Sequence, residues 1–257
     1  MKAQGRHNLQ SWLLMPAVIF FTALGTGMVA GAAQADDSSD TYLVSSDYLF
    51  VPKGFDDNDN VQVVLDGWVN SSCDQVQKPK VAVHPDQGVI EVEVKAVRQE
   101  LLCMPVLTRF TAVADLGVLP HGSWQVVTNN GWLVNELVVA EAASGGPDDH
   151  AYAQVNEVYV DYAPDERAER DSKWSAVLIG VLRTSCEHMD YVKVIDSGST
   201  VEILPVLKVE GEICIPVETP FEQRVFLPDI QQEGRYLLHV RTSDGQAINE
   251  VFSAFEQ

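Results

Sequence analysis

The chain has 257 residues, with 17 Lys and Arg against 37 Asp and Glu and a formal net charge of −20. A surface of that sign repels phosphate backbones and anionic lipid head groups, so nucleic acid and an anionic membrane surface are not expected as partners. No phosphate loop, dinucleotide fingerprint or G-x-S-x-G is present, which removes the commonest nucleotide-binding and serine-hydrolase signatures.

In chain order, Lys2 and Arg6 form a basic head, Trp12 to Val29 is uncharged, and Ala33-Gln34-Ala35 precedes Asp36-Asp37. This reads as a signal peptide over residues 1–35, cleaved after Ala35; the alternative is a retained anchor, since the uncharged stretch is long enough to reach across a bilayer. The expected location is the periplasm or the extracellular space. Without Lys2 and Arg6 the mature chain would carry −22. A first module is expected over 41–142, a linker over 143–151 where Gly, Pro and Asp cluster, and a second module over 152–257.

Within each module the pattern is strand after strand. Ile90, Val92, Val94 and Ala96 alternate with Glu91, Glu93 and Lys95. Val61, Val63 and Leu65 alternate with Gln62, Val64 and Asp66, and Tyr236, Leu238 and Val240 with Leu237, His239 and Arg241. Period two with one polar face predicts antiparallel strands packed on one side and wet on the other. Expected strands are 42–51, 61–70, 79–84, 89–97, 106–117, 123–128 and 132–141, then 154–162, 174–183, 190–195, 200–209, 217–227, 235–241 and 247–255. Turn signals such as Pro85-Asp-Gln-Gly88, Asn129-Asn-Gly131 and Asp244-Gly245 separate them.

The second module repeats the first. Cys73 and Cys186 lie 113 residues apart, Cys103 and Cys214 lie 111 apart, and Gly67 and Gly180 each precede a cysteine by six. Cys103-Met-Pro-Val106 answers Cys214-Ile-Pro-Val217, Phe110 answers Phe221, Gly122-Ser-Trp124 answers Gly234-Arg-Tyr236, and Asn135-Glu136 answers Asn249-Glu250. A unit of about 110 residues is domain-sized rather than solenoid-sized. Trp124 and Tyr236 read as core aromatics, and Trp68 and Trp174 as packing residues. The fold class is therefore all-β, two tandem antiparallel β-sandwiches. Their size and strand number resemble the immunoglobulin and fibronectin-III architecture, with one departure: a cysteine separation of about 30 is short for the usual inter-sheet bridge. The simplest pairing is one disulfide per module, Cys73–Cys103 and Cys186–Cys214, each closing a loop worth roughly 3 kcal/mol.

Several segments carry candidate chemistry. Val194-Ile-Asp196-Ser197-Gly198-Ser199-Thr200 resembles the active-site loop of aspartic proteases, which work with two such loops and paired carboxylates. The matching place in module one is His84-Pro85-Asp86-Gln87-Gly88, where only the turn chemistry survives. The run Asp56, Asp57, Asn58, Asp59 and Asn60 resembles the calcium-binding linker of cadherins and offers several oxygens at close range; calcium is the candidate cofactor. A copper site would need His121 or His188, both in expected loops, to converge with Met104 or Met189. Trp132, beside a turn and without a counterpart in module two, is a candidate contact residue. The functional expectation is an exported, non-enzymatic binding, adhesion or envelope-associated protein whose partner is an unknown protein or extracellular ligand. The alternatives are an inhibitor or accessory subunit of an extracellular hydrolase, and a calcium- or copper-binding exported protein.

Overall fold

The computed structural model describes residues 40–257 except 100–101, 129–130, 144–147, 163–173, 229, 231–232 and 255–257. The expected signal peptide lies outside the described residues, as does most of the Gly-Pro part of the linker. Among the described residues every regular element is a strand. The first eleven are β1 (Asp40–Leu43), β2 (Ser46–Phe50), β3 (Phe55–Asp56), β4 (Val61–Val69), β5 (Asp74–Val76), β6 (Lys80–His84), β7 (Val89–Glu93), β8 (Lys95–Arg98), β9 (Thr108–Gly117), β10 (Gly122–Thr128) and β11 (Val134–Ala140). Seven follow: β12 (Gln154–Tyr162), β13 (Trp174–Thr184), β14 (Glu187–Asp196), β15 (Thr200–Val209), β16 (Pro216–Phe226), β17 (Gly234–Thr242) and β18 (Gln246–Ala254).

Module two is a sandwich of two sheets, ordered β12-β13-β16 and β14-β15-β17-β18. Module one has the equivalent pair, β2-β4-β9 and β3-β11-β10-β7-β6, plus a small sheet β1-β8-β5. No ladder among the described residues joins a strand of one module to a strand of the other. Most pairs are antiparallel, but β7 runs parallel to β10 and β15 parallel to β17. In immunoglobulin domains the fourth strand sits with the first, second and fifth; here its equivalent, β15, sits beside β17 in the other sheet. The likeness to that group is therefore one of architecture.

Two expected strands are interrupted. Residues 42–51 break at Val44-Ser45, and 89–97 break at Val94, whose carbonyl accepts the Val44 N–H at 3.0 Å. At that crossing the chain passes from a main sheet to the small one. The short strands β3 and β5 carry too few residues for alternation to show. The repeated glycine and phenylalanine meet: Gly67 pairs with Phe110 and Gly180 with Phe221, and a Cβ on either glycine would lie 2.9 or 2.8 Å from the ring. The ring covers the glycine, which is why both residues recur.

The inward residues behave as period two requires. Val63, Leu65, Ile90, Val92, Trp124 and Leu137 close one core, and Leu178, Ile203, Tyr236, Leu238 and Phe252 the other. The outward residues do not all meet water. Val64 and Phe50 of module one pack on Leu237 of module two, with Val113 and Val251 beside them. Both faces of β4 and of β17 are buried. The wet face expected for Gln62, Val64 and Asp66, and for Leu237, His239 and Arg241, is instead a seam. There the β2-β4-β9 sheet of module one is stacked on the β14-β15-β17-β18 sheet of module two.

Candidate functional site

A seam of outward-facing polar residues holds only if each finds a partner, since an unpaired buried polar group costs on the order of 1–3 kcal/mol. Asp66, fully buried, receives Arg235 through Nη2 at 2.9 Å and Nε at 3.3 Å, with Thr111 Oγ1 donating at 3.2 Å. Asp59, 3% exposed, receives both terminal nitrogens of Arg241 at 2.7 and 2.9 Å. Arg241 also donates to the Gly54 carbonyl at 3.0 Å and lies over the Phe55 ring. Asn249 donates to Gln62 at 3.0 Å and faces His239 Nδ1 at 2.7 Å. Glu202 accepts the Lys53 backbone N–H at 2.8 Å and the Ser197 hydroxyl at 3.1 Å. The order of these contacts makes β4 and β17 antiparallel across the seam, Asp66 meeting Arg235 at one end and Asp59 meeting Arg241 at the other.

The acidic run is thus part of the seam. Asp59 is taken by Arg241, and its Oδ2 also accepts the Asp56 N–H at 2.9 Å. Asp56 is buried and caps the Asn58 N–H at 3.1 Å, and burial raises its carboxyl above the usual range. Asp57 accepts the Ala142 N–H at 2.9 Å and sits 3.0 Å from His121, contacts that hold its carboxyl below the usual range. Asn60 leads into β4. Among the described residues no group of three or more His, Cys, Asp or Glu is disposed to hold a metal ion.

Asp148, on the linker, completes the cluster. It accepts the Gly245 N–H at 3.2 Å and lies 3.6 Å from Arg241, and burial pushes its carboxyl up to about 6. His239 is fully buried, its Nε2 has no hydrogen-bond partner among the described residues, and burial drives it down to about 4.

The protease-like segment is a hairpin turn between β14 and β15. Asp196 accepts the N–H of Gly198, whose φ is 82°, and Gly88 at the matching place in module one has φ 63°. The turn borders two clefts between the modules. One, of about 440 Å³, is walled by Tyr48, Asp196, Ile230 and Arg235; the other, of about 610 Å³, by Lys53, Asn135, Glu136, Val138 and Ser197. His121 pairs with Asp57, and His188 lies in strand β14 rather than in a loop. Trp68 stacks on Arg109 and is 41% exposed, while Trp174 packs between Tyr162 and Phe252. Trp132 is 89% exposed.

The disulfides are Cys73–Cys103 and Cys186–Cys214. Each staples an apolar loop that faces solvent. Leu102, Met104, Val106 and Leu107 are exposed in one, and Ile213, Ile215 and Val217 in the other. The loops are held alike: Ser72 N–H donates to the Met104 carbonyl and Met104 N–H to Ser72 Oγ, both at 3.1 Å, while Ser185 and Ile215 repeat the pair at 3.0 and 3.1 Å. The sequence carried a signal for these tips, an apolar run around each second cysteine. For the seam the signal was Val64 and Leu237 among polar outward residues.

A family model described as the ORF11 beta-sandwich domain matches residues 63–139, from β4 to β11 of module one. No curated protein and no solved structure matches the chain. The family match and the all-strand sheets agree on a β-sandwich architecture, and the two disulfides fit an oxidising compartment.

Proposed function

We propose that this is an exported, non-enzymatic binding protein that engages its partner through the two stapled tips. One observation carries the reading. The two modules have diverged at most outward positions, yet both keep exposed apolar residues at the same places, Met104 with Ile215 and Val106 with Val217. Exposed apolar residues add nothing to a core, and a recurring apolar patch on a soluble surface is the mark of a contact site. The disulfide and the paired hydrogen bonds fix each loop before binding, which lowers the ordering cost of association.

The two tips point to opposite ends of the molecule. Arg183, near the end of β13, bridges Asp244, just past β17, at 3.0 Å, so the module-two tip lies at the Arg241 end. The module-one tip follows β4, which runs the other way. A single flat surface cannot take both tips at once, which favours a protein or extracellular ligand bound at each end. The −20 charge argues against nucleic acid and anionic membranes. No cofactor is part of this proposal; calcium would have to displace Arg241 from Asp59. The hydrolase-inhibitor reading uses the same tips, since a stapled loop can enter a cleft, and the captured partner's identity separates the two.

The test is affinity capture from the native source with wild-type protein and with Met104→Ser and Ile215→Ser combined. A partner held by the wild type and lost by the variant supports the proposal; equal recovery contradicts it.

A further inference from the structure

Module one has a stretch of unpaired strand edge that opens into a cleft. Strand β11 lies second in its sheet, but its outer neighbour β3 covers only Val139 and Ala140. The chain leading into β3 does not follow β11 any further. Pro52 has no N–H to give to a ladder, and Gly54 turns with φ 79°, so Val51 to Gly54 stand away from the edge. The gap is the cleft of about 610 Å³, lined by Val51 and Lys53, by Glu136 and Val138, and by Ser197 and Thr200 of module two. Asn135 donates to the Leu49 carbonyl, which ties β11 to β2 and fixes the gap.

The ladder sets which groups face the gap. The Thr128 N–H donates to the Leu133 carbonyl, and the Asp57 N–H to the Ala140 carbonyl. Leu133 therefore turns its main chain to β10 and Ala140 to β3, and by alternation Val134, Glu136 and Val138 turn theirs to the open side. The N–H groups of all three, and the carbonyls of Val134 and Glu136, have no strand beside them among the described residues. Their side chains form an exposed row, Val134 at 49% and Val138 at 56% with Glu136 between them. A hollow on the outer face, also of about 610 Å³, reaches Val134 and Glu136 beside Gly88 and Gln125. Outer strands of module two are blunted, β16 by Pro216 and Pro220 and β14 by a bulge between Met189 and Tyr191. Residues 134–138 carry neither device.

We propose that this edge binds an extended polypeptide segment of a partner as an added strand, at a site separate from the two tips. Unpaired main-chain N–H and C=O groups at two-residue spacing are matched by another extended main chain. The exposed row selects its side chains: apolar ones opposite Val134 and Val138, and a cationic one opposite Glu136. A second copy of β11 fits badly, since pairing about Glu136 sets two carboxylates opposite each other.

The probe is the peptide acetyl-Thr-Val-Thr-Lys-Thr-Val-Thr-amide, titrated to about 5 mM to capture a weak contact. Binding should slow amide hydrogen exchange at Val134, Glu136 and Val138. On the wild type, the same peptide with Glu in place of Lys should bind about two- to thirty-fold more weakly, and Glu136→Lys should reverse the order of the two peptides. The wild-type comparison needs no variant, and a melt like that of the wild type shows that Glu136→Lys folds. No binding, binding that leaves these three amides exchanging as before, or an unchanged order of the peptides on the folded variant would overturn the proposal. So would slowed exchange at the same amides in concentrated protein alone, which would assign the edge to a second copy.

Discussion

Strands β10 and β17 occupy the same place in the two modules and share an inward set, Trp124 and Val126 in one, Tyr236 and Leu238 in the other. Their outward sets have opposite fates. Ser123 and Gln125 of β10 are exposed, while Leu237 and His239 of β17 are fully buried against module one. Alternation therefore fixes which residues build a module's own core. What lies on the other face depends on the neighbour, and only there do the modules differ in charge chemistry.

The largest effect should come from removing one side of a buried ion pair. Arg241→Met leaves Asp59 charged and enclosed, and should cost about 3–5 kcal/mol in denaturant unfolding. The exposed pair Lys208–Glu210, in contact at 2.6 Å, should contribute less than about 1 kcal/mol by double-mutant cycle. Next comes the comparison of the equivalent strands β17 and β10: Leu237→Ala should cost about 2–5 kcal/mol. Gln125→Ala, at the equivalent place, should stay within about 0.5 kcal/mol. Similar losses at both positions would abolish the distinction between the faces.

Acid behaviour sharpens the same contrast. The Asp148 carboxyl is raised to about 6, so the stability it contributes is complete below its unfolded value of 3.8 and is lost as pH rises through 6. His239 is lowered from 6.5 to about 4, so the folded state loses stability as pH falls across that span, where the unfolded chain binds the proton and the folded chain does not. Asp148→Asn should gain on the wild type between pH 4 and pH 7, and His239→Gln should flatten the acid limb; melting series across pH check both. The smallest effect is expected at Trp132→Ser, within about 0.5 kcal/mol of wild-type stability.

Much of the fold was legible in the sequence. Strands such as Val61–Val69 and Val89–Glu93 declare themselves by alternation, and a Gly-Phe pair and a Ser-Cys repeated at matching places give the duplication. One repeat match shifts by a residue in the structure. Leu137 pairs with Trp124 and Phe252 with Tyr236, so Asn135 is equivalent to Glu250 rather than to Asn249. The site was much less legible. Asp56 to Asn60 looks like a cation loop because a carboxylate's sequence neighbours say nothing of an arginine 182 positions away. The seam needed the stacking of two sheets that no strand pairing announces.

The most direct measurement is hydrogen exchange at the amides of Val61–Val69 in the wild type and in Arg241→Met. The substitution lies in module two and these amides in module one. If the modules are locked through the buried seam, exchange in β4 should accelerate along with that in β17. Unchanged protection of β4 beside a loosened β17 would contradict the face-to-face lock.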